Sequence, residues 1–196
     1  MTGRLPASER RAAVLDTATL VFSRCSYRGA TTAEIARAAG VTEPILYRHF
    51  ESKQALYLAC IDGAWGRVRE AWDRAVATES DPQAWMSAMA GAFFQFQQQR
   101  SAVASLWVQA LTESDDEPEV RTFLRRHLRE VHAFVTDVVR RSQAAGAIPA
   151  DRDARAEAWI FIAIGLLTAV AGRLGGLPHD DLARIRAERR RWLAGL

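Results

Sequence analysis

The sequence predicts an all-α protein of about nine helices, a three-helix unit at the N-terminus followed by a larger helical bundle. Three observations predict it. Apolar residues recur at three- and four-residue spacing along nearly all of the 196 residues. No stretch sustains a period-two alternation, and no Asn-Gly or Asp-Gly hairpin lies between apolar runs. Capping residues stand at the starts of the periodic segments and glycines at their ends. A composition of 49% hydrophobic and 25% charged residues suits a chain long enough to bury a core, and it excludes disordered and collagen-like classes.

The first helix is expected from about Ser8 to Arg24, with Val14, Leu15, Ala18, Val21 and Phe22 on one side. Thr31-Thr32-Ala33-Glu34 forms a capping box that opens a short helix to about Ala39, with Ile35 and Ala38 inward. Gly40 is placed for a left-handed C-terminal turn. The next helix begins two residues later: Thr42 is its N-cap, Pro44 lies in its first turn, Val41 is set to staple onto Leu46, and it ends near Phe50. Ser52 caps a longer helix from Lys53 to about Ala77, whose stripe is Leu56, Cys60, Ile61, Ala64, Trp65, Val68, Trp72 and Val76.

Asp81-Pro82 restarts the chain as a helix from Pro82 to Gln99, and a further one spans Ser101 to Leu111 with Val103, Leu106, Trp107 and Ala110 inward. Residues Glu113 to Pro118 read as an acidic loop. A long helix from about Glu119 to Ala145 carries Leu124, Leu128, Val131, Val135 and Val138 inward and stops at Gly146. An apolar helix from about Arg152 to Arg173 follows. Its run from Ala158 to Ala171, broken only by Gly165 and Thr168, is 14 residues long, too short to span a bilayer. Gly172 to Pro178 breaks the chain before a last amphipathic helix.

The charge is unevenly placed. The chain has 26 basic and 23 acidic residues, yet residues 1–60 hold 8 basic against 5 acidic and the remainder is balanced. An excess of three permits a nucleic-acid surface without demanding one. The lone lysine is Lys53; the other basic residues are all arginine. Two cysteines, Cys25 and Cys60, are too few for a disulfide framework, and no apolar signal segment opens the chain, which points to a reducing, cytoplasmic home and no membrane partner. There is no Gly-x-Ser-x-Gly elbow, Gly-rich phosphate loop or His-Glu-x-x-His motif. His127 and His132, five apart, fall on different helix faces. No catalytic residue, metal or cofactor is therefore expected.

The stretch from Ala33 to Leu56, AEIARAAGVTEPILYRHFESKQAL, has the two short helices and tight glycine turn of a helix-turn-helix unit. It resembles the N-terminal domain of the TetR family of bacterial transcriptional regulators over about residues 8–68. The resemblance implies a DNA-binding domain at 8–68 and a ligand-binding and dimerisation domain at 69–196, in a homodimer that binds a palindromic double-stranded operator and answers to a small-molecule inducer. At the positions matching Tyr47, His49 and Lys53 the family clamps the DNA backbone. Lys53 also stands in the first turn of a helix, where the dipole favours an anion. Base reading falls to Thr42, Glu43, Pro44 and Ile45, helped by Thr32; Glu43 either accepts from a cytosine amino group or is paired or solvated. One departure is Ser26, where the family commonly has glycine, and Gly29 is expected to rescue that turn.

Trp65, Trp72, Trp85 and Trp107 fall in the helices after this unit, and with Met89, Phe93, Phe96 and Gln109 they are the candidates for an apolar ligand cavity; each is otherwise a core residue. The helix around Trp159 to Val170, apolar on nearly all sides, suits a dimer seam. The expected function is a ligand-responsive regulator, a repressor rather than an enzyme. Its competitors are a DNA-binding regulator without an inducer and a helical carrier or enzyme that has lost DNA binding.

Overall fold

The computed structural model of the chain describes residues 7–98, 102–176 and 179–195. Among these residues every regular element is an α-helix: α1 (Ala7–Gly29), α2 (Thr32–Ala38), α3 (Glu43–His49), α4 (Lys53–Thr78), α5 (Trp85–Gln98), α6 (Ala102–Glu113), α7 (Pro118–Ala144), α8 (Ala154–Arg173) and α9 (His179–Leu193). The expected helix boundaries at Gln99 and Ser101, the side chain of Val103 and the end of the break at Pro178 lie outside the described residues. Two compact units are present. The first comprises the residues up to Arg67 together with α6 and the chain as far as Phe123; the second takes in Val68 through α5 and everything from Leu124 onward.

In the first unit α1 buries Val14, Ala18 and Phe22, one residue per turn along a single stripe. α2 packs against α1 and α3 against α2. The buried arc of α2 runs from Ile35 to Ala36; Ala38, expected inward, is exposed because the contact lies on the other side of Ile35. Leu46 of α3 and Leu56, Tyr57 and Ile61 of α4 close this core. The whole stripe expected on α4, from Leu56 to Val76, is buried at each of its positions.

α1 does not stop at Arg24. It continues through a bend at Ser26, whose φ of 68° and ψ of 168° lie in a region where an L side chain is strained by about 1–3 kcal/mol. Ser26 itself, and not Gly29, adopts the left-handed conformation. The bend opens the helical hydrogen-bond ladder, and α6, which packs along α1, fills the gap. The amide of Gln109, in the orientation its neighbours require, donates to the Phe22 carbonyl (3.1 Å) and accepts from the Ser26 N–H (2.8 Å). One turn on, Glu113 accepts the Tyr27 N–H at 2.6 Å. Ser26 Oγ accepts from the Gly29 N–H at 3.1 Å, which offsets part of the strain.

In the second unit four aromatic side chains from four helices converge. The Trp72 ring lies 6.4 Å from that of Phe93, 5.9 Å from Phe134 and 5.6 Å from Phe161. α7 buries Leu124, Val131, Val135 and Val138 as expected, with Leu128 half-buried. Gly146 ends it with a φ of 74°. α5 opens at Trp85 rather than Pro82, because Asp81 first closes a turn, its side chain taking the Gln83 N–H and its carbonyl the Ala84 N–H, each at 2.9 Å. α8 opens at Ala154, with Asp153 capping the amides of Arg155 and Ala156.

The 14-residue apolar run lies within this 20-residue helix, as expected; by length and composition alone the whole of α8, unlike the run, is sufficient to cross a bilayer. It carries a carboxylate, Glu157, that is buried and held by the indole N–H of Trp192 (2.9 Å) and by Arg189, both of α9. Arg152 lays its guanidinium 3.8 Å over the Trp192 ring. Trp159, Ile160, Leu167 and Val170 leave an exposed apolar face on α8.

Replacing Ser26 by glycine removes the backbone strain and one hydroxyl hydrogen bond. The net expectation is a stabilisation of about 1 kcal/mol, read as a rise in thermal midpoint of about 2–4 °C. An unchanged or lowered midpoint contradicts the strain at Ser26.

Candidate nucleic-acid interface

The two short helices are tied off by local chemistry. Thr31 Oγ1 accepts the Glu34 N–H at 3.2 Å and Glu34 Oε2 accepts the Thr31 N–H at 3.0 Å, the reciprocal pair of a capping box. At the other end Gly40 has a φ of 67°, and bonds from Gly40 N to Arg37 O (3.2 Å) and from Val41 N to Ala36 O (2.9 Å) close a Schellman turn. Thr42 then takes an extended conformation as N-cap of α3, its carbonyl accepting from Ile45 and Leu46 at 3.0 Å. Thr42 thus holds the N-cap position expected from the sequence, but its hydroxyl makes no cap bond. Pro44, in the first turn, has no N–H to be capped there.

Two of the candidate base-reading residues, Thr32 and Glu43, meet the backbone-clamp candidate Tyr47 in one polar chain. Thr32 Oγ1 donates to Glu43 Oε1 at 2.6 Å, and the Tyr47 hydroxyl donates to Thr32 Oγ1 at 3.3 Å. A threonine hydroxyl has one proton, so a bond to the carboxylate turns its lone pairs toward Tyr47. Glu43 is thereby paired with Thr32. The network fixes the start of α2 against the exposed side of α3, where Thr42, Pro44 and Tyr47 are open to solvent and Ile45 and His49 half-buried.

Lys53 opens α4. Ser52 Oγ accepts the Ala55 N–H at 2.9 Å and starts the helix as the sequence predicts. The Lys53 ammonium donates to the Ala30 carbonyl at 3.2 Å and lies 4.5 Å over the Tyr27 ring. The Tyr27 ring in turn packs 4.9 Å from that of Tyr57, whose hydroxyl donates to Glu113 Oε2 at 2.5 Å. Burial and the Glu113 charge push the Tyr57 phenol far up, so it remains a proton donor. Tyr27 is raised by burial first and then by Glu117, Glu119 and Glu113. On the other side Arg11 of α1 sets its guanidinium 4.8 Å over the Phe50 ring at the end of α3. Sequence reading missed Arg11, Tyr27 and Glu113: nothing in their spacing brings residues 27, 53 and 113 together.

The ligand candidates are divided between the units. Trp72 and Phe93 join the aromatic cluster, with Phe134 and Phe161 as partners that sequence reading did not single out. In the same unit Met89 is fully buried, Phe96 half-buried, and Trp85 donates its indole N–H to the Glu79 carbonyl at 2.9 Å beneath Arg141. Trp65, Trp107 and Gln109 belong to the first unit, where Gln109 bridges the bend of α1. A groove of about 410 Å³ between α4 and α5 is lined by Ala71, Arg74, Ala75, Ala88 and Gln95 among others, and by none of the eight candidates. His127 and His132 are both buried; among the described residues no group of three or more potential ligands gathers for a metal. Burial pushes the Cys60 thiol up to about 12, which leaves it a packing group.

Residues 14–60 match the model of the bacterial regulatory proteins of the tetR family, and residues 82–194 match that of the C-terminal domain of BetI-type transcriptional repressors. The chain belongs to the TetR family. Among TetR-family relatives, the HTH-type transcriptional activator FasR of Mycolicibacterium smegmatis is 40% identical over 93 residues, 47% of this chain and 42% of that protein. The HTH-type regulator BetI of Rhizobium meliloti is 28% identical over 124 residues, 63% of this chain and 61% of its own length. The chain thus matches less than two thirds of the length of either. A TetR regulator of known structure from Chloroflexus aurantiacus superposes with a TM-score of 0.75 at 27% identity, over 86% of each chain. These relatives are transcriptional regulators and not enzymes, and the helix-turn-helix described above is the family's DNA-binding domain.

The capping box carries a pH signature. Its hydrogen bonds from Thr31 hold the Glu34 carboxyl below its ordinary 4.5. A carboxyl lowered by folding stabilises the fold fully above its unfolded value and progressively less as pH falls through the folded one. Glu34→Gln is expected to lower the thermal midpoint at neutral pH, with the gap to wild type narrowing between about pH 5 and 3. A gap independent of pH contradicts the ionised capping box.

Proposed function

We propose that this TetR-family chain is a ligand-responsive repressor that binds a palindromic double-stranded DNA operator as a homodimer and is released by an apolar or aromatic small molecule. The observation that carries the reading is the exposed edge formed by Thr32, Thr42, Glu43 and Tyr47, with the Lys53 ammonium held at the start of the next helix. Tyr47, His49 and Lys53 contact phosphates and fix register; Lys53 keeps donors beyond the one given to Ala30. Thr42, Pro44 and Ile45 face base edges with Thr32. One oxygen of Glu43 is engaged by Thr32, and the other accepts from a cytosine amino group. The match to BetI-type repressors supports the sign of regulation.

A second copy supplies the cover that the exposed face of α8 lacks, and it places two recognition helices about 34–36 Å apart for successive major grooves. Trp72, Phe93, Phe134 and Phe161 offer the aromatic surface for the inducer. α4 runs unbroken from Lys53 through Trp72, so a ligand that prefers one placement of Trp72 biases the helix that begins at the phosphate clamp. The domains responsible are 8–68 for DNA and 69–196 for ligand and dimer.

In-vitro selection of DNA by the purified protein tests the reading as a whole; enrichment of an inverted repeat is the expected result, and no enrichment at low salt sinks it. Lys53→Ala should weaken binding to all sequences alike and lower the salt slope by about one. Leu167→Glu should shift the sedimenting species from dimer to monomer with the helical content retained; a dimer that persists removes α8 from the seam.

A further inference from the structure

Lys53 is held from two sides, by the Tyr27 ring and the Ala30 carbonyl, and both belong to the segment just after the bend of α1. That segment is fixed by Glu113, which accepts the Tyr27 N–H on one oxygen. Its other oxygen accepts the hydroxyl of Tyr57, one turn beyond Lys53 on α4. One half-buried carboxylate at the end of α6 therefore grips both pieces of chain between which the lysine sits. Tyr57 is completely buried, so its hydroxyl has no water to replace a lost acceptor. The Tyr27 and Tyr57 rings, 4.9 Å apart, join the two attachments.

We infer that Glu113 is a positioning residue for DNA binding, which sets the Lys53 ammonium at the phosphate backbone through Tyr27 and Tyr57 without touching DNA. The inference rests on the reading of Lys53 as a phosphate contact. It assigns to α6, some 60 residues beyond the helix-turn-helix, a share in the affinity of the clamp. A bidentate carboxylate suits the task, because its two oxygens take a backbone donor and a phenol donor at once, whereas an amide in its place presents a single oxygen and an N–H₂ group that faces a donor.

The test is a double-mutant cycle on the full-length protein with duplex DNA of arbitrary sequence, in which the clamp acts without base reading. Glu113→Gln is expected to weaken binding roughly 3–10-fold, in the lower part of the range of coupling within one hydrogen-bonded network. It should lower the salt slope toward that of Lys53→Ala, and have little further effect in the Lys53→Ala background. Tyr57→Phe, which keeps the packing and deletes only the hydroxyl, should act in the same direction, so the result does not depend on how well Glu113→Gln folds. Equal losses in both backgrounds, or none in either variant, overturn the inference while leaving the Lys53 reading intact. An unchanged salt slope in Lys53→Ala alone overturns the Lys53 reading and this inference with it.

Discussion

A helix that bends must surrender hydrogen bonds, and in a packed interior every surrendered donor needs another acceptor. In α1 this happens at Ser26, and the acceptors come from α6: Gln109 stands in for the missing peptide group between Phe22 and Ser26, and Glu113 takes the next amide. The requirement propagates. Because Glu113 also receives Tyr57, the end of α1 and the start of α4 share one anchor, and the path of the chain through α2 and α3 runs between two fixed points. The strained serine is tolerated because its surroundings are over-determined, and the same surroundings hold Lys53.

Much of this was legible in the sequence where the physics is local. The Thr31–Glu34 box, the left-handed Gly40, the Ser52 cap and the eight-residue stripe of α4 are each written within a few residues of one another, and each formed. Where sequence reading failed, the deciding partner was remote. Glu113 reads as part of an acidic loop, yet it closes α6 and turns inward toward residues 86 and 56 positions away. Gly29 looked like the natural place for a left-handed turn, but the bend is set by the acceptors α6 offers, and these meet Ser26 and Tyr27. Phe134 and Phe161 were passed over for the same reason: a cluster built from four helices has no signature in any one of them.

Electrostatics sharpen the contrast between lysine and arginine. Arginines account for the remaining basic residues, and several are engaged with carboxylates or aromatic faces, Arg28 with Asp116, Arg67 with Asp16 and Arg11 with Phe50. At residue 53 the geometry calls for something else. A compact ammonium fits between a carbonyl and a ring and still has protons pointing elsewhere, whereas a planar guanidinium would take up both partners across its width. Three acidic residues of the same unit are likewise occupied: Glu34 in a cap, Glu43 on Thr32 and Glu113 on two tyrosines.

The first unit is discontinuous in the chain, and that limits how it can be moved or exchanged. A fragment ending at Arg67 carries the complete helix-turn-helix but not Gln109 and Glu113, so its Ser26 and Tyr27 amides and its buried Tyr57 hydroxyl lose their acceptors together. A hybrid regulator made by grafting this head onto another bundle needs α6, or a helix that offers an amide and a carboxylate one turn apart in the same place. The unit of inheritance for DNA binding in this chain is therefore two stretches of sequence, and recombination that treats the first as self-sufficient separates the reading head from its support.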